Sequence, residues 1–220
     1  MAADIRPEPA TAARFVTFEG GEGAGKSTQI RALERHLLDS GIKCIVTREP
    51  GGTPGAEAIR SLLVTGDPDR WDAMTEALLN TAARRDHAEK IIWPALADNT
   101  WVLCDRFADS TLAYQGKAGG LGFDGLRRLY EYAVGEQQPD LTIIMDVPVE
   151  IGLSRAGKRS GPETRFEQHE QQFHEDVRAA FLEIADAEPG RCAVIDATRP
   201  KEDVSVLILK IVEERLLRDG

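Results

Sequence analysis

Phe15-Val16-Thr17-Phe18-Glu19-Gly20-Gly21-Glu22-Gly23-Ala24-Gly25-Lys26-Ser27-Thr28 decides how this chain folds. Four β-prone residues run into a glycine-rich turn, and a helix with Ile30, Leu33 and Leu37 on one face follows at once. Between Gly20 and Ser27 the spacing is G-x-x-x-x-G-K-[ST], which binds phosphate when a strand precedes it and a helix opens from it. The segment Gly20-Gly21-Glu22-Gly23-Ala24-Gly25 is expected to wrap a phosphate with backbone N–H groups. Lys26 reaches the β- and γ-phosphates, Ser27 offers a magnesium ligand, and the helix start at Lys26-Ser27-Thr28 adds favourable partial charge.

Outward from this loop, strand, turn and helix alternate. Cys44–Thr47, Trp101–Cys104, Leu141–Met145 and Cys192–Ile195 are further short apolar runs, nearly continuous rather than alternating. That pattern predicts strands buried on both faces of a parallel sheet. Helical spacing fills the gaps. Thr53-Pro54 supplies a cap and a first-turn proline, a longer helix is expected from about Asp72 to Ile92 with a stop near Pro94, and Asp124 is expected to cap another. Phe173, Val177, Phe181 and Ile184 mark one more, and Lys201 to Leu217 the last. The fold class is therefore α/β, an open doubly wound parallel sheet flanked by helices, built as a P-loop NTPase. In such sheets ligands sit beyond the carboxyl ends of the strands.

The whole chain agrees with one domain. Its 220 residues carry a formal net charge of -10, with 37 acidic against 27 basic side chains. Such a field repels nucleic acid and anionic membrane, so any bound phosphate needs a local basic site. Cys44, Cys104 and Cys192 form no CxxC or metal spacing and read as buried thiols of a reducing cytoplasm. Residues 1–13 read as a flexible leader, 14–220 as a single P-loop domain, and no stretch approaches membrane-spanning length.

Residues just after the other strands point to a second ligand. Arg48, in Thr47-Arg48-Glu49-Pro50-Gly51-Gly52-Thr53, offers a planar fork of donors for another phosphate. Asp105-Arg106-Phe107 supplies a carboxylate for magnesium or acceptor and a guanidinium for transferring charge. Ser110, Tyr114 and Gln115 suit a nucleoside. Arg155 to Arg165 is a basic, glycine- and proline-bearing stretch in an acidic protein, expected to be a lid at about 155–166 that brings Arg155, Arg159 and Arg165 over ATP. His87 is read as a helix-surface residue. A phosphate loop alone does not separate a kinase from a switch GTPase or a motor ATPase, but no Asn-Lys-x-Asp base-reading motif is present.

Phe18 to Thr28, then Thr47 to Thr53, then Asp105-Arg106-Phe107-Ala108-Asp109-Ser110-Thr111 with Tyr114-Gln115-Gly116, resembles the bacterial thymidylate kinases, as does Pro139 to Val147. The resemblance spans about Arg14 to the C-terminus. It implies phosphorylation of dTMP to dTDP by ATP with Mg2+, a five-stranded core and a homodimer. It implies that Glu22 contacts the acceptor sugar, that Arg48 and Arg106 surround the acceptor and transferred phosphates, and that Asp105 links magnesium and acceptor. It also implies that Arg84 reads the thymine edge and that Tyr114 and Gln115 lie by the deoxyribose and base. Where some members place an arginine in the loop, this chain has Gly23, so it resembles the type that supplies one from the lid. Two positions depart from the family: Asn80 replaces an aromatic that stacks on the base, and Thr164 replaces an Asp before the lid arginine. Asn80 keeps open another nucleotide kinase of the same fold, and a slow ATPase switch is the reading from a different class.

Overall fold

A computed structural model describes residues 12–157 and 165–217. The leader expected at 1–13 and the lid segment from Lys158 to Thr164, with Arg159, thus fall almost wholly outside the described residues.

Five strands, β1 (Phe15–Glu19), β2 (Cys44–Arg48), β3 (Trp101–Asp105), β4 (Leu141–Asp146) and β5 (Cys192–Asp196), form one parallel sheet in the order β2-β3-β1-β4-β5. All five predicted runs are strands, and each is one residue longer than its apolar core. The added residue is charged every time: Glu19, Arg48, Asp105, Asp146, Asp196. Apolar side chains bury the strand, and the ladder carries one charged group to the carboxyl edge. The register then aligns those groups, with Arg48 opposite Asp105 on β2/β3 and Asp105 opposite Phe18 on β3/β1. Burial on both faces holds for β1, β3 and β4. It fails for β2, and Val194 of β5 is exposed, because these are the two edges of the sheet.

Helices α1 (Lys26–Asp39), α2 (Pro54–Val64), α3 (Ala73–His87), α4 (Trp93–Ala97), α5 (Ala108–Thr111), α6 (Asp124–Val134), α7 (Val149–Ala156), α8 (Gln171–Ala187) and α9 (Lys201–Val212) cover the sheet. Alternate strand residues point to opposite faces. Val16, Phe18, Trp101, Leu103, Ile143 and Ile195 pack with Ile30, Leu33 and Leu37 of α1 and with Val204, Ile208 and Val212 of α9. On the other face Phe15, Val102 and Cys104 pack with Ile92, Phe107 and Tyr130, while Ile144 and Cys192 pack with Val177, Phe181 and Ile184 of α8.

The local signals read from the sequence have specific outcomes. Thr53 caps α2 through Oγ1, which accepts from Ala56 N at 3.1 Å, and Asp72 caps α3 by accepting from Thr75 N at 2.6 Å. Pro94 does not stop the helix. A wide π-type turn at Ala88–Ile92 precedes it, so the proline falls in the first turn of α4, where its missing N–H is not required. Asp124 is not a cap: Phe123 holds that position and Asp124 lies in the first turn. The helical path from Ala108 to Ala118 and helix α7 add to the helices expected from the sequence.

Candidate active site

A cavity of about 510 Å³ opens at the carboxyl edge of β1, β2 and β3. Glu22 to Thr28 form one wall, Arg48, Glu49, Asp105, Arg106 and Ser110 the floor, and Asn80, Thr111, Tyr114 and Gln115 the far wall. Arg155 and Phe166 contribute from the α7 side and from the stretch leading into α8.

The loop wall is shaped by backbone. Gly20, Gly23 and Gly25 have φ 130, 66 and 91, which L side chains rarely adopt. Gly23 is also pressed against α7: a Cβ there would lie 2.0 Å from the Gly152 carbonyl oxygen. No side chain fits at this position unless the loop or α7 moves. Lys26 Nζ donates to Gly20 O at 3.0 Å and Gly21 O at 3.1 Å, leaving its third N–H for a ligand. Burial, then the nearby Arg106 charge, pulls the Lys26 ammonium down to about 8. Ser27 Oγ donates to Asp105 Oδ2 at 2.8 Å, so α1 and β3 bring a hydroxyl and a carboxylate together as hard oxygen donors. Among the described residues no group of three or more His, Cys, Asp or Glu could hold a metal. A pair of oxygens fits magnesium that takes its remaining ligands from phosphate and water.

The floor is a knot of charge. Arg106 stands at φ 68, a left-handed backbone that costs an ordinary residue roughly 1–2 kcal/mol. This turn aims its guidanium group back over the loop: Nη1 donates to Gly20 O at 3.1 Å and Nη2 to Glu22 Oε1 at 2.8 Å. Tyr114 OH donates to the same Glu22 oxygen at 2.9 Å, and the guanidinium lies 5.0 Å from the Tyr114 ring centre. Burial drives the Tyr114 phenol far above its ordinary value, so it remains a donor. Glu19 is fully buried beneath, accepting from Phe107 N at 2.7 Å and Ser110 Oγ at 2.6 Å. Burial, then the negative Asp109, pushes its carboxyl up to about 7. Glu19 was missed in the sequence, where it is merely the last residue of a strand. Arg48 reaches from the edge strand and donates from Nη2 to Glu57 Oε2 at 3.0 Å.

On the far wall Asn80 spends its Nδ2 on the Glu76 carbonyl at 2.9 Å, and Gln115 Nε2 donates to Glu76 Oε2 at 2.8 Å. Arg165, His87 and Arg84 lie elsewhere than expected. Arg165 does not reach the loop. It is 1% exposed, paired with Glu76 Oε1 at 2.5 Å, and donates to Asp67 O at 2.8 Å, Leu63 O at 3.2 Å and Pro68 O. These bonds tie it to α2, α3 and the turn between them, so it is an anchor for the segment that follows it. His87 is not on a surface but is 0% exposed, between Glu49 and Thr47. Arg84, expected to face the ligand, lies one layer back, joined to the cavity-lining residues Glu49 and Thr111. Phe166 lines the cavity and packs edge-on against Tyr114 at 5.6 Å; only its position beside Arg165 hinted at it. Arg155 lines the cavity from the last turn of α7 and donates to Ala197 O at 3.1 Å.

The thymidylate kinase family profile matches residues 18–208, almost the whole described chain. The chain belongs to the thymidylate kinase family. A curated thymidylate kinase of Rhodopseudomonas palustris (strain TIE-1) is 55% identical over 207 residues, covering 93% of this chain and 90% of the relative. One from Caulobacter vibrioides is 55% identical over 202 residues, covering 92% and 97%. The crystal structure of the thymidylate kinase from Ehrlichia chaffeensis superposes with a TM-score of 0.74 at 34% identity, covering 91% of this chain and 99% of that one. Family membership makes the chain a nucleotide-binding kinase, in keeping with the loop wall and its fold. No helix among the described residues is long and apolar enough to cross a membrane.

Proposed function

We propose that the chain transfers the terminal phosphate of ATP, with Mg2+, in line to the phosphate of dTMP, giving dTDP. One observation carries the reading: the phosphate loop and a separate set of basic and nucleoside-sized groups share a single cavity. A switch ATPase has no use for the second set. The loop backbone, Lys26 and Thr28 hold the donor phosphates, and Ser27 with Asp105 holds the metal, which neutralises charge on the phosphate oxygens. Arg48 and Arg106 receive the acceptor phosphate, and Glu22, fixed by Arg106 and Tyr114, meets the sugar. Asn80, Ser110, Tyr114 and Gln115 enclose the nucleoside, with Arg84 supporting the base end through the wall. The acceptor is already anionic, so the step needs positioning and charge stabilisation rather than a strong base.

Arg155, which lines the cavity, and Arg159 meet the transferring phosphate from the lid side. Exposed apolar side chains on two contacting helices, Leu62 of α2 and Met74 and Leu78 of α3, support assembly as a homodimer. The test is coupled ADP formation with dTMP, dUMP, dCMP, dGMP and AMP at equal concentration. Strong preference for dTMP is expected; preference for another monophosphate would overturn the acceptor. Arg155→Ala is expected to lower kcat with dTMP at least tenfold, and unchanged turnover in both Arg155→Ala and Arg159→Ala would remove the lid arginine from the mechanism.

A further inference from the structure

His87 lies outside the cavity and is used by none of the steps above, yet it is wholly buried and both of its ring nitrogens are engaged. Nδ1 is 3.0 Å from Glu49 Oε1, and Nε2 is 2.6 Å from Thr47 Oγ1. A carboxylate only accepts, so Nδ1 carries the proton towards Glu49, and Nε2 shares a hydrogen bond with the Thr47 hydroxyl. The other Glu49 oxygen, Oε2, accepts from Arg84 Nε at 2.7 Å. Arg84 Nη2 then donates to Phe107 O at 3.1 Å and Thr111 Oγ1 at 3.0 Å, with the guanidinium 5.3 Å from the Phe107 ring centre. The turn after β2 closes over the imidazole: a Cβ on Gly52, at φ 88, would lie 2.6 Å from the ring's Cδ2 and Nε2. The ring can neither flip freely nor tilt away.

From this chain of contacts we infer that His87 is a positioning residue for acceptor recognition, acting through Glu49 to set the orientation of Arg84. A carboxylate holding one arginine by a single N–H can swing about its own χ3. The bond from Nδ1 to its second oxygen removes that freedom. Arg84 is thereby held in one geometry behind the base end of the cavity, where a small rotation would shift Glu49 and Thr111, the two partners of Arg84 that line it. Pre-set donors of this kind lower the ordering cost of binding and leave the phosphoryl step alone. The inference rests on the reading of Arg84 as the base-end arginine.

Three variants separate the possibilities when steady-state kinetics are measured with dTMP and dCMP. His87→Asn keeps an amide N–H near Nδ1, whereas His87→Gln places its amide nearer Nε2 and loses the bond to Glu49. His87→Gln is expected to raise KM for dTMP about tenfold, to lower the dTMP/dCMP preference in kcat/KM, and to leave kcat and KM for ATP within about twofold. His87→Asn is expected to restore most of the KM and the preference. Arg84→Lys is the control and is expected to raise KM for dTMP more than either. If Arg84→Lys changes nothing, the reading of Arg84 is wrong and the inference falls with it. If Arg84→Lys acts but His87→Gln does not, or if Asn and Gln act alike, His87 is a packing residue and the inference alone is overturned. Should His87→Gln fail to fold, Thr47→Val releases the ring's far side and is expected to raise KM for dTMP two- to threefold at unchanged kcat; no rise would overturn the inference equally.

Discussion

The phosphate loop and the wall opposite it are made of different material. Around Gly20 to Lys26, shape comes from left-handed glycines, a helix start and a side chain folded onto the carbonyls of its own loop, all within a few positions of one another. Across the cavity, shape comes from side chains: Glu49 and Arg84 are 35 positions apart, Glu19 and Ser110 are 91 apart, Glu22 and Tyr114 are 92 apart. A local backbone device suits a ligand part that every donor nucleotide shares, because triphosphate geometry does not vary with the base. A side-chain network suits the part that must discriminate, because each member can be exchanged without unmaking the loop.

Replacing Lys26 tests the first half of that contrast most severely. Lys26→Met is expected to lower kcat by about 10³, as the loss of a charge aimed at the transferred group does elsewhere. Its effect on stability runs the other way. Because the folded value is about 8 against an unfolded 10.5, the folded chain holds fewer protons between those pH values, and the penalty of burying the charge is full below pH 8. Melting at pH 7 is therefore expected to show a Tm no lower than that of the parent, despite two lost hydrogen bonds. A collapse of Tm would mean that Lys26 also holds the loop together.

Gly23→Ala probes the loop as backbone rather than charge. The new methyl meets the Gly152 carbonyl at 2.0 Å, so either the loop or α7 must move. A destabilisation of about 1–3 kcal/mol by denaturant titration and a fall in kcat/KM of about a hundredfold are expected. Pairing it with Arg155→Ala sharpens the comparison. If α7 is what moves, the double variant will lose less than the product of the two single losses, since Arg155 rides on α7.

Glu19→Gln tests the side-chain network beneath the floor. The folded carboxyl titrates near 7 and the unfolded one near 4.5, so the folded chain keeps a proton over that window and stability falls as pH rises through it. The amide has no such window. Tm of the variant should match the parent near pH 4.5 and exceed it by a few degrees at pH 8. Parallel curves would show that the carboxylate is stabilised by Arg106 and its hydrogen bonds despite its burial.

This contrast also explains what the sequence disclosed. The strands, the loop and most of the helices were legible because apolar runs, glycine spacing and caps are local. Asp105 and Arg106 were legible as residues that follow a strand. Arg165 was misjudged because a basic run looks the same whether its arginines face solvent, phosphate or a buried Glu76; only the fold brings the α2–α3 connection beside it. Glu19 carries no signal and His87 reads as a surface residue for the same reason: their partners lie 88 to 91 and 38 to 40 positions away.

Asn80 is where the smallest change should be measurable. Its amide N–H is bonded to its own helix, and the cavity already holds aromatic surface in Phe166 and Tyr114. A phenylalanine at 80 would add a face for the base. Stacking of a base on an aromatic is worth about 1–3 kcal/mol, but the existing rings claim part of it, so Asn80→Phe should lower KM for dTMP only about threefold at unchanged kcat. A tenfold or larger drop would mean that the base makes no contact with Phe166. A rise in KM would mean that Phe166 fills the space the new ring needs, and that this chain moved its aromatic platform from α3 to the segment leading into α8.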